Sequence, residues 1–155
     1  MKLDLLTLTC IFSLLVAVEP WKIPGKWPPE VVYQYYDIPT MVKTCSQRCE
    51  PNMEEIKEFE LTTDLNKLPN NKNVKCYFHC LWVEAGFMKP GSAAFDPSVF
   101  FELMEKMSEE DQDKYLKITK GCAKRVSKIK DPIEVSYQTM VCCKENSNEL
   151  FYLFY

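Results

Sequence analysis

The sequence predicts an all-α domain of about six helices, and three observations support this fold class. Apolar residues recur at three- and four-residue spacing in several separate segments, which is the period of an amphipathic helix. Asp, Ser or Pro stands at the start of these segments, where helix caps are favoured. Alternation of apolar and polar residues, the pattern of a strand, is not convincing in any part of the chain. The length of 155 residues, 46% of them apolar, suits one domain of ordinary size.

Residues 1–18 are predicted to be a secretory signal peptide. Their apolar-rich run from Leu5 to Val18 is too short to span a bilayer, which needs about 20 residues, but it suits the central region of a signal peptide. The alternative is a buried N-terminal helix. We expect the signal to be removed from a secreted, extracellular product that makes no stable insertion into a membrane. Residues 19–29 are rich in Trp and Pro, which predicts an extended arm before the helical domain of residues 30–155.

The first three helices have clear boundaries in the sequence. Asp37 is positioned to cap a helix that runs to about Cys49, and a short helix is expected over residues 53–59. A polar loop is predicted over residues 67–73. Gly86 then ends the third helix, because glycine is the usual residue at a helix C-terminus. The apolar stripe of this third helix comprises Val74, Phe78, Leu81, Trp82 and Ala85.

Three further helices follow. Asp96-Pro97 begins the fourth helix, whose apolar stripe extends to Met107. Ser108 begins the fifth with a sequence that resembles a capping box. Pro132 opens the sixth, and an apolar and aromatic tail over residues 150–155 ends the chain.

Charge and motif content exclude several classes of function. The net charge is -3 and no contiguous block of Lys and Arg is present, so we expect no binding to nucleic acid. The sequence has no G-x-S-x-G motif, and the single histidine, His79, lacks the flanking Asp of a calcium-assisted hydrolase site. We therefore expect a protein that is not an enzyme and that carries no cofactor.

The eight cysteines fit an oxidising compartment. Removal of the signal peptide discards Cys10 and leaves an odd number, so at least one thiol has no partner within the chain. Cys45 and Cys49 form one C-x3-C pair, and Cys76 and Cys80 form another, and this spacing places both sulfurs of a pair on one helical face. If the two helices run antiparallel, these four residues can form a ladder of two disulfides.

A metal site is the alternative use of the same residues, because Cys76, His79 and Cys80 are ligands by type. Structural zinc sites usually place such pairs on short turns, and a secretory compartment favours oxidation of the thiols. We therefore expect no metal, and His79 is interpreted as a histidine at the surface of a helix or half-buried.

The chain resembles a known family. The segment C-Y-F-H-C-L-W-V-E-A-G-F-M from Cys76 to Met88, Cys122 after 41 intervening residues, and then Y-Q-T-M-V-C-C-K-E-N resemble insect odorant-binding proteins of the pheromone-binding and general type. The resemblance covers about residues 30–155. It implies a six-helix, disulfide-stapled domain that encloses an apolar cavity.

The resemblance also implies a disulfide pairing, with one departure. Two bridges carry over directly, Cys45–Cys80 and Cys122–Cys142. The family's usual partner of Cys76 cannot be matched, because Ile133 occupies its position. The extra Cys49 stands where a partner for Cys76 is needed, so we predict a relocated bridge between Cys49 and Cys76. Cys143 is then the unpaired thiol.

The implied function is a carrier that binds a small hydrophobic ligand, such as an odorant or pheromone, and transports it through aqueous extracellular fluid. A chemosensory receptor is then the expected protein partner. The predicted ligand-binding residues are Phe87, Met88, Phe100, Met104, Tyr115, Ile118, Tyr137, Met140, Phe151 and Leu153. Each of them is equally consistent with an ordinary core position. The resemblance further implies that the C-terminal tail folds back as one wall of the cavity.

Two alternatives of different kinds remain open. The same fold can serve as a scavenger or as a binding protein of reproductive or salivary fluid. The chain can also be a protein-interaction module that dimerises through its unpaired cysteine, so the expected oligomeric state is a monomer or a Cys143-linked dimer.

Overall fold

The structure is a computed structural model and describes residues 35–147. Over these residues it contains six α-helices and a short 3-10 helix: α1 (Ile38–Cys49), α2 (Met53–Leu61), the 3-10 helix (Leu65–Lys67), α3 (Lys72–Glu84), α4 (Pro97–Met104), α5 (Glu109–Val126) and α6 (Pro132–Asn146). The described residues form no strand, and one isolated antiparallel bridge joins Met88 to Phe95. The predicted all-α fold class is confirmed.

Several predicted features lie outside the described residues. These are the signal peptide, the Trp- and Pro-rich arm, and the C-terminal tail with Phe151 and Leu153. Among the helices of residues 35–147, none has the length and apolar character needed to cross a membrane.

Short-range capping interactions fix the helix starts. The side chain of Asp37 accepts a hydrogen bond from the Thr40 N–H at the start of α1, and Asp96 does the same for Ser98 at the start of α4. Ser108 caps α5 in the same way. A proline occupies the first turn of α1, α4 and α6, where its missing N–H has no intrahelical partner to lose. Each cap contributes about 1 kcal/mol to helix stability.

Three boundaries differ from the sequence prediction, and the first is the end of α2, which lies at Leu61 and not at residue 59. The loop predicted over residues 67–73 is too long, because Asn71 caps α3 and the helix begins at Lys72. The fourth helix ends at Met104, so Met107 lies in the turn that follows, although its side chain is buried. Polar residues at the exposed first turn of α3 conceal its start, since they show no apolar period.

Glu50, the residue that caps the end of α1, has an unusual backbone conformation. Glu50 adopts a left-handed conformation with φ of 47°, and its N–H donates to the Ser46 carbonyl over 2.9 Å. The helix therefore stays regular through Cys49, which can face Cys76 on α3. The structure contains the three disulfides Cys45–Cys80, Cys49–Cys76 and Cys122–Cys142, each with a Cα–Cα distance of 5.6 Å.

These three disulfides are the pairs expected from the sequence, and 5.6 Å lies within the usual range for a disulfide. The first two join α1 to α3 as a ladder, which requires the two helices to run antiparallel. The third joins α5 to α6. Cys143 is the one free cysteine of the described residues.

Buried side chains form three clusters. The first lies among α1, α2, α3 and α6 and contains Ile56, Phe59, Val74, Tyr77 and Phe78, each essentially inaccessible to solvent. The second cluster comprises Phe100, Leu103, Met104, Met107 and Tyr115 of α4, α5 and the turn between them. The third comprises Met88, Val126 and Val135. The described helices thus enclose a divided core.

Polar contacts connect α3 and α2 to α6. The Lys75 ammonium lies 2.7 Å from a carboxylate oxygen of Glu134, and His79 Nδ1 lies 2.9 Å from the Ser136 hydroxyl. Lys144 is buried and donates over 2.7 Å to the backbone carbonyl of Glu60 at the end of α2. These contacts fix the position of α6, which contributes Tyr137 and Met140 to the first cluster and Val135 to the third.

Candidate ligand-binding site

Four partly buried aromatic residues lie where the three clusters meet, and we call them the junction aromatics: Tyr36, Trp82, Phe87 and Phe95. Tyr36 and Phe87 pack against both the first and the second cluster. Trp82 packs against the first and the third. Phe95 packs against the second. They form the apolar connection between clusters that are otherwise separate.

The rings of the junction aromatics form one continuous set of contacts. The Phe87 ring centroid lies 6.3 Å from that of Tyr36, 5.9 Å from Trp82 and 5.8 Å from Phe95. Trp82 and Phe95 are 5.7 Å apart, and Phe95 reaches Phe100 in the second cluster at 6.1 Å. All of these distances fall in the range of favourable aromatic pairs.

The turn after α3 positions these rings. Gly86 has φ of 78°, a left-handed conformation that a residue with a side chain adopts only at a cost. It redirects the chain so that Phe87 and Met88 leave the helix axis. The Met88–Phe95 bridge and a 2.7 Å hydrogen bond from the Asp96 N–H to the Phe87 carbonyl then bring Phe95 back beside Phe87.

The structure distributes the predicted ligand-binding residues over all three clusters. Tyr137 and Met140 belong to the first cluster, Phe100, Met104 and Tyr115 belong to the second, and Met88 belongs to the third. Phe87 alone among them is a junction aromatic, and Ile118 is partly buried on α5. Six of the predicted residues therefore lie in three separate clusters of buried side chains.

Sequence analysis did not single out Tyr36, Trp82 or Phe95 as candidates for ligand binding. Trp82 lies four residues after Phe78 on the apolar stripe of α3, so its spacing indicates only a core position. Its location between two clusters depends on the turn at Gly86 and on α6, which no local pattern reports.

The phenols of Tyr137 in the first cluster and Tyr115 in the second remain uncharged. Burial raises the pKa of Tyr137 to about 12, with Glu134 adding to the effect, and its hydroxyl donates over 3.0 Å to the Pro69 carbonyl. Burial is also the main cause that raises the pKa of Tyr115, with a smaller contribution from the charge of Asp111. The Tyr137 proton is therefore already used within the protein.

His79 is half-buried and its charge is disfavoured. Burial lowers the pKa of His79, and the nearby negative charge of Asp131 opposes that shift. The imidazole is therefore mainly neutral at pH 7. Within residues 35–147 there is no group of three or more His, Cys, Asp and Glu side chains that could hold a metal ion.

The indole N–H of Trp82 is paired with a methionine sulfur, and a second methionine sulfur contacts a buried hydroxyl. The Trp82 indole Nε1–H donates to Met140 Sδ over 3.3 Å. The buried Ser136 hydroxyl lies 3.2 Å from Met88 Sδ and 3.0 Å from the Pro132 carbonyl. A thioether is a weak acceptor, so the Trp82 contact is the weaker kind of hydrogen bond.

These features define a small helical protein, stabilised by disulfides, in which aromatic and methionine side chains meet between separate parts of the core. Residues 33–146 match the profile of the PBP/GOBP family, the insect pheromone-binding and general odorant-binding proteins. The chain belongs to this family, whose members bind and carry small ligands. No curated protein and no solved structure matches the chain.

Proposed function

We propose that this protein is a secreted carrier that binds a small hydrophobic ligand at the junction aromatics and transports it through aqueous extracellular fluid. The observation that supports this proposal most directly is the set of partly buried aromatic rings between the core clusters. Buried residues of a domain usually form one main cluster and smaller satellite clusters, so the division of the core is not by itself unusual. Here three clusters meet through rings that are only partly buried, so these rings offer apolar surface to a ligand.

The expected affinity follows from the apolar surface area of the ligand that binding removes from water. Burial of about 15 methylene-sized groups contributes about 12 kcal/mol, at about 0.8 kcal/mol per group. Association costs at least about 4 kcal/mol in lost translational and rotational freedom. At most about 8 kcal/mol then remains, which corresponds to a dissociation constant of about 1 μM or weaker.

We further propose that the carrier is a monomer and not a Cys143-linked dimer. Cys143 is partly buried against the first cluster, and burial raises the pKa of its thiol to about 12. The thiolate is the reactive form of cysteine, so a thiol that stays protonated at pH 7 forms an intermolecular disulfide slowly.

Binding of a fluorescent apolar probe to the mature protein tests the carrier function. Phe87→Ala removes the ring that contacts three other aromatics, and we expect it to weaken probe binding at least about tenfold, since one buried ring contributes more than 1.4 kcal/mol. Phe101→Ala is the matched control, because Phe101 is 48% exposed on α4. Equal effects of the two substitutions would contradict a site at the junction. No probe binding to the unaltered protein would refute the carrier function itself.

Native mass spectrometry of the secreted protein complements this experiment, because it reports bound ligand mass and oligomeric state together. The C-terminal tail is also proposed to contribute a wall of the site, through Phe151 and Leu153. Deletion of residues 150–155 is expected to weaken probe binding, and unchanged affinity would exclude this role.

A further inference from the structure

We infer that the indole N–H of Trp82 selects the chemical class of the ligand, and that the preferred ligand is an apolar chain carrying one oxygen that only accepts hydrogen bonds, as in a ketone or ester. This inference rests on the proposed carrier function. It concerns one donor at the junction aromatics and the weak partner that this donor has in the protein.

The hydrogen bond of Trp82 is the starting point. The indole Nε1–H is a donor only, and its acceptor is the Met140 thioether sulfur at 3.3 Å. A carbonyl oxygen is a much better acceptor than a thioether. A ligand carbonyl that reaches this N–H therefore replaces a weak hydrogen bond with a stronger one.

Loss of the hydrogen bond between Trp82 and the Met140 sulfur costs little free energy. A thioether has no donor of its own, so Met140 Sδ is left without penalty when a ligand oxygen takes its place at the Trp82 N–H. The methionine side chain is also unbranched and has three rotatable bonds, which lets it move aside from a ligand. Trp82 itself needs no rearrangement, since its ring is held against Phe87 and Phe95 at 5.9 and 5.7 Å.

The same contacts disfavour an alcohol. A ligand hydroxyl could accept from Trp82, but its own O–H would then need an acceptor in a partly buried, apolar place. The acceptor that Trp82 itself contacts is the sulfur of Met140. The nearest hydroxyl of the adjoining third cluster, that of Ser136, already lies within hydrogen-bond distance of Met88 Sδ, the Pro132 carbonyl and His79 Nδ1. A hydroxyl proton satisfied only by sulfur loses part of its hydrogen-bond energy relative to water.

The test compares Trp82→Phe with the unaltered protein, because phenylalanine keeps an aromatic ring and removes the N–H. Three competitors of equal length displace a fluorescent apolar probe: methyl nonyl ketone, the corresponding secondary alcohol and undecane. We expect the unaltered protein to bind the ketone most tightly. Trp82→Phe should weaken ketone binding about tenfold, because the ketone oxygen is then left without a donor in an apolar place, and it should change undecane binding less than about threefold.

Phe95→Leu is the control for loss of ring packing, since it removes a ring contact of Trp82 and leaves the N–H in place. It should weaken binding of all three competitors alike. Met140→Leu removes the sulfur, and the preference for the ketone should persist or increase. Urea unfolding of each variant verifies that it is folded.

A direct readout comes from the nuclear magnetic resonance signal of the Trp82 indole N–H, which is assigned by its loss in Trp82→Phe. The ketone should shift this signal strongly and undecane weakly. Equal loss of affinity for ketone and undecane in Trp82→Phe, or an indole signal that the ketone leaves unmoved, would overturn the inference. Absence of binding by every competitor to the unaltered protein would instead refute the carrier function.

Discussion

The two disulfides between α1 and α3 should contribute less together than the sum of their separate contributions. Cys49–Cys76 closes a loop of 27 residues, nested inside the 35-residue loop of Cys45–Cys80. If the inner bridge were alone, its loop would contribute about 3.5 kcal/mol on the chain-entropy model. The outer bridge lowers this contribution, because it already holds the two cysteine-bearing segments of the unfolded chain close together.

With the outer bridge formed, the shortest path between Cys49 and Cys76 passes through four residues on each side of that bridge. The loop closed by the inner bridge is then effectively about nine residues, and its contribution falls to about 2.6 kcal/mol on the same model. The difference, about 1 kcal/mol, is the coupling between the two bridges.

A double-mutant cycle measured by urea unfolding isolates this coupling. Replacement of Cys49 and Cys76 by alanine should lower the free energy of unfolding by about 2.6 kcal/mol in the natural chain. The same replacement should lower it by about 3.5 kcal/mol in a chain whose outer pair, Cys45 and Cys80, is already alanine. Loss of side-chain packing enters both measurements equally and cancels. Replacement of the distant pair Cys122 and Cys142 is the control background, in which the inner bridge should still contribute about 2.6 kcal/mol. The reasoning from nested loops would be refuted by a coupling of zero between the two bridges. It would also be refuted if replacement of Cys122 and Cys142 changed the contribution of the inner bridge as much as replacement of the outer pair does.

Three further outcomes follow from single residues. Glu50→Gly should raise the free energy of unfolding by about 1 kcal/mol, because the left-handed φ of 47° costs glycine nothing, and thermal unfolding checks this. Hydrogen bonding to Lys75 is the main cause that lowers the pKa of Glu134 below its ordinary value of 4.5. The stability that the ionised Glu134 adds to the fold is therefore present above pH 4.5 and is lost as the pH falls through the lowered pKa. Glu134→Gln should therefore lower the urea midpoint at pH 7 and weaken its decline in acid; parallel profiles would contradict this origin. Iodoacetamide should modify Cys143 at least about a hundred times more slowly in the folded protein than in urea, because a pKa of about 12 leaves very little thiolate, and mass spectrometry follows the added mass.

The helices were predictable where the responsible interactions are local. Asp37, Asp96 and Ser108 cap through residues two or three positions away, and this short range makes them visible in the sequence. The disulfide ladder was predictable for the same reason, since the four-residue spacing of each cysteine pair encodes a shared helical face. Asn71 was missed because it follows another asparagine in a polar stretch that has no apolar period to mark the helix start.

The site was predictable only in part, because its geometry depends on distant contacts. Sequence analysis named Tyr137 as a ligand-binding residue, but its hydroxyl donates to the backbone carbonyl of Pro69, which is 68 positions away in the chain. Trp82 meets Met140 across 58 positions. Periodicity shows that such residues point inward, but it does not show which polar atoms they meet there.

The disulfide pairing also determines how the protein would come apart after a single cut in its backbone. Two bridges lie wholly within residues 45–80 and the third within residues 122–142, so no disulfide of the described residues spans residues 81–121. A protease cut in that segment would yield two fragments that separate in denaturant without any reducing agent. A bridge from Cys76 to α6 would have kept them joined. With Ile133 in place of a cysteine, the backbone through the Gly86 turn is the sole covalent connection between the α1–α3 and α5–α6 parts of the described chain.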